Sequence, residues 1–584
     1  AGLFPCRISV RIRRGEMKRK NGTMKEVSLL ELEDGVTLKN WNDKISIALV
    51  YPNTYQVGMS NLGIHILYRE MNKLENVVCE RVFWPDEEGQ RVKSIESQRE
   101  LKDFDVVAFA LSFEMDGFHL LDILSRSGIE VLAANRGEAD PLILMGGPCP
   151  TFNPEPWAHF IDGMIIGEGE EILPEVVSLW GSLEGMTKDE KLEKMLSVGG
   201  LYVPKFYRST YDEAGRFIGM VGLDESVPSK IEKRMVDLAK YAGCTEIISP
   251  ATEFGHMFLI EVARGCGRHC RFCMAGYAFR NPRVRPVSEI LAAIEEGKAR
   301  GAKQIGLVGA AVSDHPQIDE LVRAVDAAGL DLSVASLRAD NVSQVLLEKL
   351  VKSGQRTVTF APETGSERLR KVINKGLNEE ELLKACLMAI QTGMKHIRLY
   401  AMLGLPTETQ EDVAELVNLA RKIRKLMKEN HHAGKVVLSV NPFIPKPFTP
   451  FEKMPLFDEK EIEKKIHFLR KELPLKEGYE IKAESLREAW VQGILARADR
   501  SISEVILQCG ERGYKAFSQT FRKAGFEKER YEYQNLDLWK AMPWQVVDLG
   551  IRENYFEEEL VKAEKELETL ACFEGCQRCG VCSE

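Results

Sequence analysis

The sequence predicts an α/β protein in three parts: an N-terminal doubly wound parallel sheet, a central set of six βα repeats, and a mostly helical C-terminal region ending in a cysteine cluster. Three observations predict this. Across residues 41–185 short apolar runs alternate with amphipathic stretches, and Gly-rich turns follow the runs, as in a parallel sheet wound on both faces. Across residues 251–450 the same alternation becomes regular. Across residues 451–571 helical periodicity dominates, and four cysteines close the chain at residues 572–584.

Size and composition fit several packed cores. The chain has 584 residues, 44% hydrophobic and 29% charged, enough for more than one domain. The net charge of -9 provides no basic field for nucleic acid. No apolar run reaches membrane-spanning length and no secretory pattern is present, so a cytoplasmic protein is expected. Seven of the 13 cysteines lie in two tight groups. In a reducing compartment such groups point to metal binding rather than disulfides, with oxygen sensitivity as a consequence.

Residues 1–40 read as a tail. Its basic run Arg11–Lys20 is expected to be a solvated segment, and Met17 is a candidate natural start. In 41–185 the expected strands are Ile45–Val50, Val77–Phe83, Val106–Leu111, Ile129–Leu132, Leu142–Met145 and Met164–Ile166, with helices at Gly58–Met71 and Met115–Arg126. The turns that follow carry Ser112, then Gly146 and Gly147, then Gly167, Glu168 and Gly169. Ligands of such sheets sit beyond the carboxyl ends of the strands, where glycine lets them approach the backbone. Residues 186–250 read as a connector, with an extended stretch at Tyr202–Tyr207 and a polar turn at Asp212–Gly215.

The second alternation has strands at Phe258–Val262, Gln304–Val308, Leu332–Ala335, Thr357–Phe360, His396–Met402 and Val436–Val440. Helices are expected at Val287–Arg300, Gln317–Ala328, Val342–Lys352, Glu379–Thr392 and Glu411–Lys428. Directly after the first of these strands comes Cys266-Gly-Arg-His-Cys270-Arg-Phe-Cys273, three cysteines at C-x3-C-x2-C spacing. Soft thiolates at short spacing suit iron–sulfur or zinc sites. Three ligands leave one iron of a 4Fe–4S cube open, whereas a structural zinc wants four closed ligands. His269 sits inside the three-residue gap, where ligation to the same metal would be strained.

This loop, with Phe272 before its third cysteine, resembles the radical S-adenosylmethionine (SAM) enzymes. The resemblance implies a partial (β/α)6 barrel with its site at the carboxyl ends of the strands. It implies a 4Fe–4S cluster on Cys266, Cys270 and Cys273, whose open iron binds the amino and carboxylate groups of SAM. One electron then cleaves SAM to a 5′-deoxyadenosyl radical that abstracts hydrogen. It also implies an electron donor of flavodoxin or ferredoxin type. Carried over by position, Phe272 packs near the adenine, and Gly309 and Ala310 supply backbone to the SAM amino group. The usual acid after them is missing. Ser336, Arg338 and Glu363 lie at the ends of the next two strands, and Gly404 in the glycine turn near the adenine.

The N-terminal half resembles the cobalamin-binding domain that precedes the barrel in many of these enzymes, through its G-G-P turn and its G-E-G-E. That resemblance implies cobalamin contacts from Ser112, Gly146, Gly147, Gly167, Glu168 and Gly169. No D-x-H-x-x-G is present, so no histidine below cobalt is expected, and His65 and His119 read as packed or surface residues. Cys149 reads as a packed thiol.

Residues 451–571 are expected to form a helical cap with Glu488–Val505 as its clearest helix, punctuated by Trp490, Ala498-Asp-Arg500 and Met542-Pro-Trp544. Cys572, Cys576, Cys579 and Cys582 can close a tetrathiolate site, either an auxiliary 4Fe–4S cluster or zinc. The expected function is radical SAM chemistry on an unactivated carbon, with C-methylation as the outcome if cobalamin is bound. The alternatives are a methylthiotransferase, or another RNA- or protein-modifying enzyme without cobalamin, and, from another class, a non-catalytic metal scaffold. Cys6, Cys79 and Cys149 are too widely spread to match the three N-terminal cysteines of a methylthiotransferase comfortably.

Overall fold

The structure, a computed structural model, describes residues 29–582 except 86, 88, 214 and 527–539. The basic run Arg11–Lys20, Met17 and Cys6 lie outside the described residues. The first sheet contains β1 (Ile45–Tyr51), β2 (Val77–Phe83), β3 (Val106–Ala110), β4 (Leu142–Gly146), β5 (Gly163–Ile165) and β6 (Leu201–Tyr202), in the order β2-β1-β3-β4-β5-β6. All neighbours are parallel except β6. Every residue of β2 is buried, as expected of a strand covered by helices on both faces. Helices α1 (Leu62–Lys73), α2 (Gly117–Arg126) and α3 (Gly169–Ser182) flank the sheet.

Ile129–Leu132 forms no strand. Ile129 N–H closes the end of α2 on Leu124 O, and Arg136 Nη1 takes the carbonyls of Glu130 and Val131 at 3.0 and 3.2 Å. The backbone groups a ladder would need are taken by a side chain, and the sixth strand comes instead from Leu201–Tyr202.

The second βα series has seven parallel strands rather than six: β7 (Met257–Glu261), β8 (Gln304–Val308), β9 (Asp331–Ser333), β10 (Thr357–Glu363), β11 (His396–Leu403), β12 (Val436–Pro442) and β13 (Tyr479–Ala483). A bridge between Leu337 and Phe360 links the three-stranded and four-stranded parts. The added strand lies in the region expected to be a helical cap. Helices α4 (Val287–Ala299), α5 (Ile318–Ala327), α6 (Gln344–Lys352), α7 (Glu379–Thr392) and α8 (Gln410–Glu429) connect the strands. Along β11 burial alternates: Ile397, Leu399, Ala401 and Leu403 enter the core, and half-buried Arg398, Tyr400 and Met402 occupy the other face.

Beyond the barrel, α9 (Glu459–Glu472) precedes β13, and the expected helix Glu488–Val505 is two helices, α10 (Leu486–Arg497) and α11 (Ile502–Cys509). The break is held by Asn153, whose Nδ2 takes the carbonyls of Ala496 and Ala498, and by Asp499, which accepts from Ser501 N–H. Next come α12 (Tyr514–Lys523) and α13 (Tyr555–Glu564). No helix among the described residues is long and apolar enough to cross a membrane.

The two sheets meet through the loops beyond their carboxyl ends. Glu114, after β3, pairs with Lys446, after β12, and accepts from Gln492 at 3.1 Å. Phe152, after the Gly146-Gly147-Pro148 turn, meets Phe279, after the cysteine loop, edge-on at 6.0 Å. A second contact is electrostatic. Buried Glu168 accepts from Arg283 Nη1 at 2.9 Å and Val236 N at 2.7 Å and lies 3.4 Å from Arg264, which also pairs with Glu170 at 2.8 Å and Glu261 at 2.9 Å.

Candidate functional site

The cysteine loop follows β7 and is framed by arginines. Gly265, at φ 81°, makes the turn into it, and a Cβ there would lie 2.1 Å from Phe279 O, so glycine is required. Cys266, Cys270 and Cys273 are free thiols, Cys270 buried and the other two half-buried. Burial, then the neighbouring Cys270, pushes Cys266 up to about 11, so a metal ion is the natural means of holding it as thiolate. Burial also raises Cys270, with Lys375 and Arg338 acting in the opposite sense.

Arg338 follows β9, and Lys375 comes from a loop between two helices. Lys375 Nζ donates to Glu363 at 2.9 Å and lies 5.8 Å over the ring of Phe272. Glu363 ends β10 at φ 66°, a left-handed conformation uncommon for this residue type. Arg338 grips Asp340 with two bonds of 3.0 Å, and its Nη2 reaches Lys375 O at 3.1 Å. Asp340 in turn pairs with Arg268 at 3.2 Å, and Arg268 with Asp314 at 2.9 Å. Cations and carboxylates are thus interleaved beside the thiols, a suitable setting for a zwitterionic amino acid group.

Phe272 packs against an apolar cluster that includes Leu405, Phe443 and Phe451. Those three residues line a cavity of 440 Å³ with Gly404 and Ile462. Gly404, at φ 80°, donates its N–H to Glu408 at 2.9 Å. Gly309 and Ala310 are half-buried after β8. Ser336 is exposed, and sequence position alone had linked it to the others. Sequence reasoning missed Lys375, Arg268 and Asp314. Lys375 lies in the loop between two helices, away from any strand end, so no spacing signalled it.

The expected cobalamin residues divide into two groups. Ser112, Gly146 and Gly147 are half-buried on the crest beyond β3 and β4. Gly167, Glu168 and Gly169 do not share it. A Cβ on Gly167 would lie 2.2 Å from Arg234 O, so that glycine serves a chain-to-chain approach, and Glu168 is taken up by Arg283 and Val236. Gly169 starts α3, and a Cβ there would meet Leu67 at 3.4 Å. By the same measure Gly147 also serves a chain-to-chain approach, a Cβ there lying 2.7 Å from Leu111 O, whereas one on Gly146 would meet only Ile165 at 3.6 Å; the partners of Gly167 and Glu168 leave them unsuited to hold a cofactor. His65 has Nε2 on Met59 O and Nδ1 on Ile247 N, and His119 stacks on Trp84 at 4.0 Å with Nδ1 on Pro52 O.

The terminal cysteines pack on the outside of the SAM-type loop. Cys572 N donates to Gly267 O at 2.7 Å. Cys579 and Cys576 are buried, Cys572 and Cys582 half-buried. Burial pushes Cys572 up to about 11, opposed by the Arg280 charge. Among the described residues no three His, Cys, Asp or Glu side chains converge as ligands of a single ion.

Residues 260–420 match the Radical SAM superfamily and residues 63–204 match Radical SAM proteins, N-terminal. The uncharacterised protein MJ0966 of Methanocaldococcus jannaschii is 32% identical over 467 residues, 79% of this chain and 90% of that protein. The chain belongs to the radical SAM superfamily. It is therefore an enzyme that uses a 4Fe–4S cluster and SAM and needs a reductant, and the scaffold alternative falls. A putative methylthiotransferase, MJ0865 of the same organism, is 26% identical over 334 residues, 55% of this radical SAM chain and 65% of that protein. In fold the chain is similar to the radical SAM methyltransferase TsrM from Kitasatospora setae, solved with tryptophan and a SAM analogue: TM-score 0.50, 12% identity, 82% of this chain and 99% of that one.

Proposed function

We propose that Cys266, Cys270 and Cys273 hold the SAM cluster, and that this enzyme methylates an unactivated carbon with cobalamin bound on the N-terminal crest. The observation that carries the reading is the meeting of the two carboxyl-end loop systems, through Glu114 with Lys446 and Phe152 with Phe279. A group lying on Ser112, Gly146 and Gly147 is thereby directed toward the mouth of the barrel. When bound, the cluster supplies the electron that cleaves SAM and the corrinoid carries the methyl group.

The chain's own residues bind and orient. Lys375 and Arg338 receive the SAM carboxylate, and Glu363 and the backbone at Gly309 and Ala310 receive its ammonium group. Phe272 and the Gly404 turn hold the adenine. Ser112, Gly146 and Gly147 would hold the corrinoid edge. A flavodoxin- or ferredoxin-type donor supplies electrons, and a cytoplasmic location follows from that chemistry.

The methylthiotransferase reading has the similarity to MJ0865 in its favour. Against it, Cys79 and Cys149 are buried in different cores. The test is reconstitution with hydroxocobalamin, desalting and a visible spectrum. About one retained corrinoid per chain supports the reading. Gly146→Val should abolish retention, because a Cβ at 146 meets only Ile165 at 3.6 Å and so tests the crest without breaking the fold. A protein that cleaves SAM yet keeps no corrinoid overturns methylation.

A further inference from the structure

The terminal thiols and the SAM-type loop share one residue, His269. Its main chain adjoins Cys270, and its side chain contacts the C-terminal segment. Nε2 lies 3.3 Å from Cys572 Sγ. Nδ1 faces Tyr555 Oη and, at 3.1 Å, Arg280 Nη1. A guanidinium only donates, so Nδ1 is the acceptor and Nε2 carries the hydrogen, which points at the sulfur. The tautomer is fixed by a neighbour, as for a histidine oriented beside a metal centre.

Other contacts hold the two segments in register. Asn374 Nδ2 bridges His269 O at 2.9 Å and Thr569 O at 3.0 Å, and Thr569 N returns a bond to Asn374 at 2.8 Å. Arg271, fully buried, donates to Glu559 at 3.1 Å and to Leu567 O at 2.8 Å. A Cβ on Gly267 would sit 3.5 Å from Cys572 Cβ. His269 is 1% exposed, whereas Leu570 and Phe573, flanking Cys572, are 77% and 64% exposed. The terminal set therefore has one side at the surface and the other against the loop. Its donors are four thiols, with Arg280 beside Cys579 and Cys572 to offset negative charge.

Resting on the assignment of the SAM cluster to Cys266, Cys270 and Cys273, we propose that the terminal cysteines hold a second 4Fe–4S cluster and that Cys572 and His269 carry electrons from it to the loop. Each transfer takes one electron from the reduced terminal centre and gives it to the oxidised loop centre. A low-potential one-electron carrier protein of flavodoxin or ferredoxin type then re-reduces the terminal centre. No bond forms or breaks, and Nε2 keeps its hydrogen.

The test compares two reductants on the full-length reconstituted protein. Reduction of the loop cluster is followed by freeze-quench electron paramagnetic resonance, once with reduced flavodoxin and once with dithionite, which needs no docking route. In His269→Leu and in the double variant Cys576→Ser/Cys579→Ser, the flavodoxin rate should fall about ten-fold relative to the dithionite rate. His269→Gln, which can keep an N–H toward Cys572, should recover part of the ratio. An unchanged ratio in the double variant overturns the relay. So does a wild-type protein with about four irons and one zinc rather than about eight irons. In either case dithionite-driven SAM cleavage continues, which separates failure of the relay from failure of the SAM-cluster assignment.

Discussion

Removing the Glu168 carboxylate should loosen the seam between the two sheets. In Glu168→Ala, Arg283 keeps Val236 O at 2.7 Å but loses its carboxylate, and Val236 N–H loses its acceptor. Breaking a buried ion pair from one side costs about 3–5 kcal/mol. Arg264 retains Glu170 and Glu261, so the lower end, about 3 kcal/mol, applies. For a unit of 150–250 residues that is a fall in Tm of roughly 6–12 °C. The sign with pH is also fixed. Burial raises the Glu168 carboxyl, but Arg283 and Arg264 outweigh it and hold it below the ordinary 4.5. Its contribution is present above 4.5 and is lost as pH falls through the depressed folded value, so wild type and variant should converge in acid. Thermal unfolding of anaerobic protein between pH 4 and 8 is the assay. Equal melting of wild type and variant at pH 7 would refute the reasoning.

Asp116 should behave in the opposite sense. Burial pushes its carboxyl up to about 7, so the folded state holds a proton the unfolded chain releases, and stability falls as pH rises through the folded value. Asp116→Asn, which can still accept from Asn53, should raise Tm at pH 8 more than at pH 5.5 in a melting series. Lys375→Met should weaken SAM binding by about ten-fold or more in isothermal titration, because a buried cation beside Glu363 and Cys270 is lost while a chain of similar length remains. Gly147→Ala should destabilise by at least about 1 kcal/mol in denaturant unfolding, since φ is 105° and a Cβ would lie 2.7 Å from Leu111 O.

The parts of this fold legible in the sequence were those written in local pattern. β1, β2 and β8 show as apolar runs, and the three-cysteine loop shows as spacing. β13 did not, because Tyr479–Ala483 carries Glu480 and Lys482 among few apolar residues and takes its strand form from pairing with β12. Ile129–Leu132 misled in the other direction: an apolar run lost its ladder to Arg136. The glycine turn at 167–169 looked like room for a cofactor, but room and close chain contact leave the same mark in a sequence, and Arg234 supplies the contact. Lys375 beside the cysteines, and His269 reaching a thiol 303 residues further along, are products of tertiary packing that no spacing rule contains.

The most direct test of the central assignment is the fate of SAM on anaerobically reconstituted protein with dithionite. The account predicts 5′-deoxyadenosine and methionine, or S-adenosylhomocysteine where methylation dominates, from wild type, and neither from the triple variant Cys266→Ala/Cys270→Ala/Cys273→Ala. Unchanged SAM turnover in that variant would contradict it.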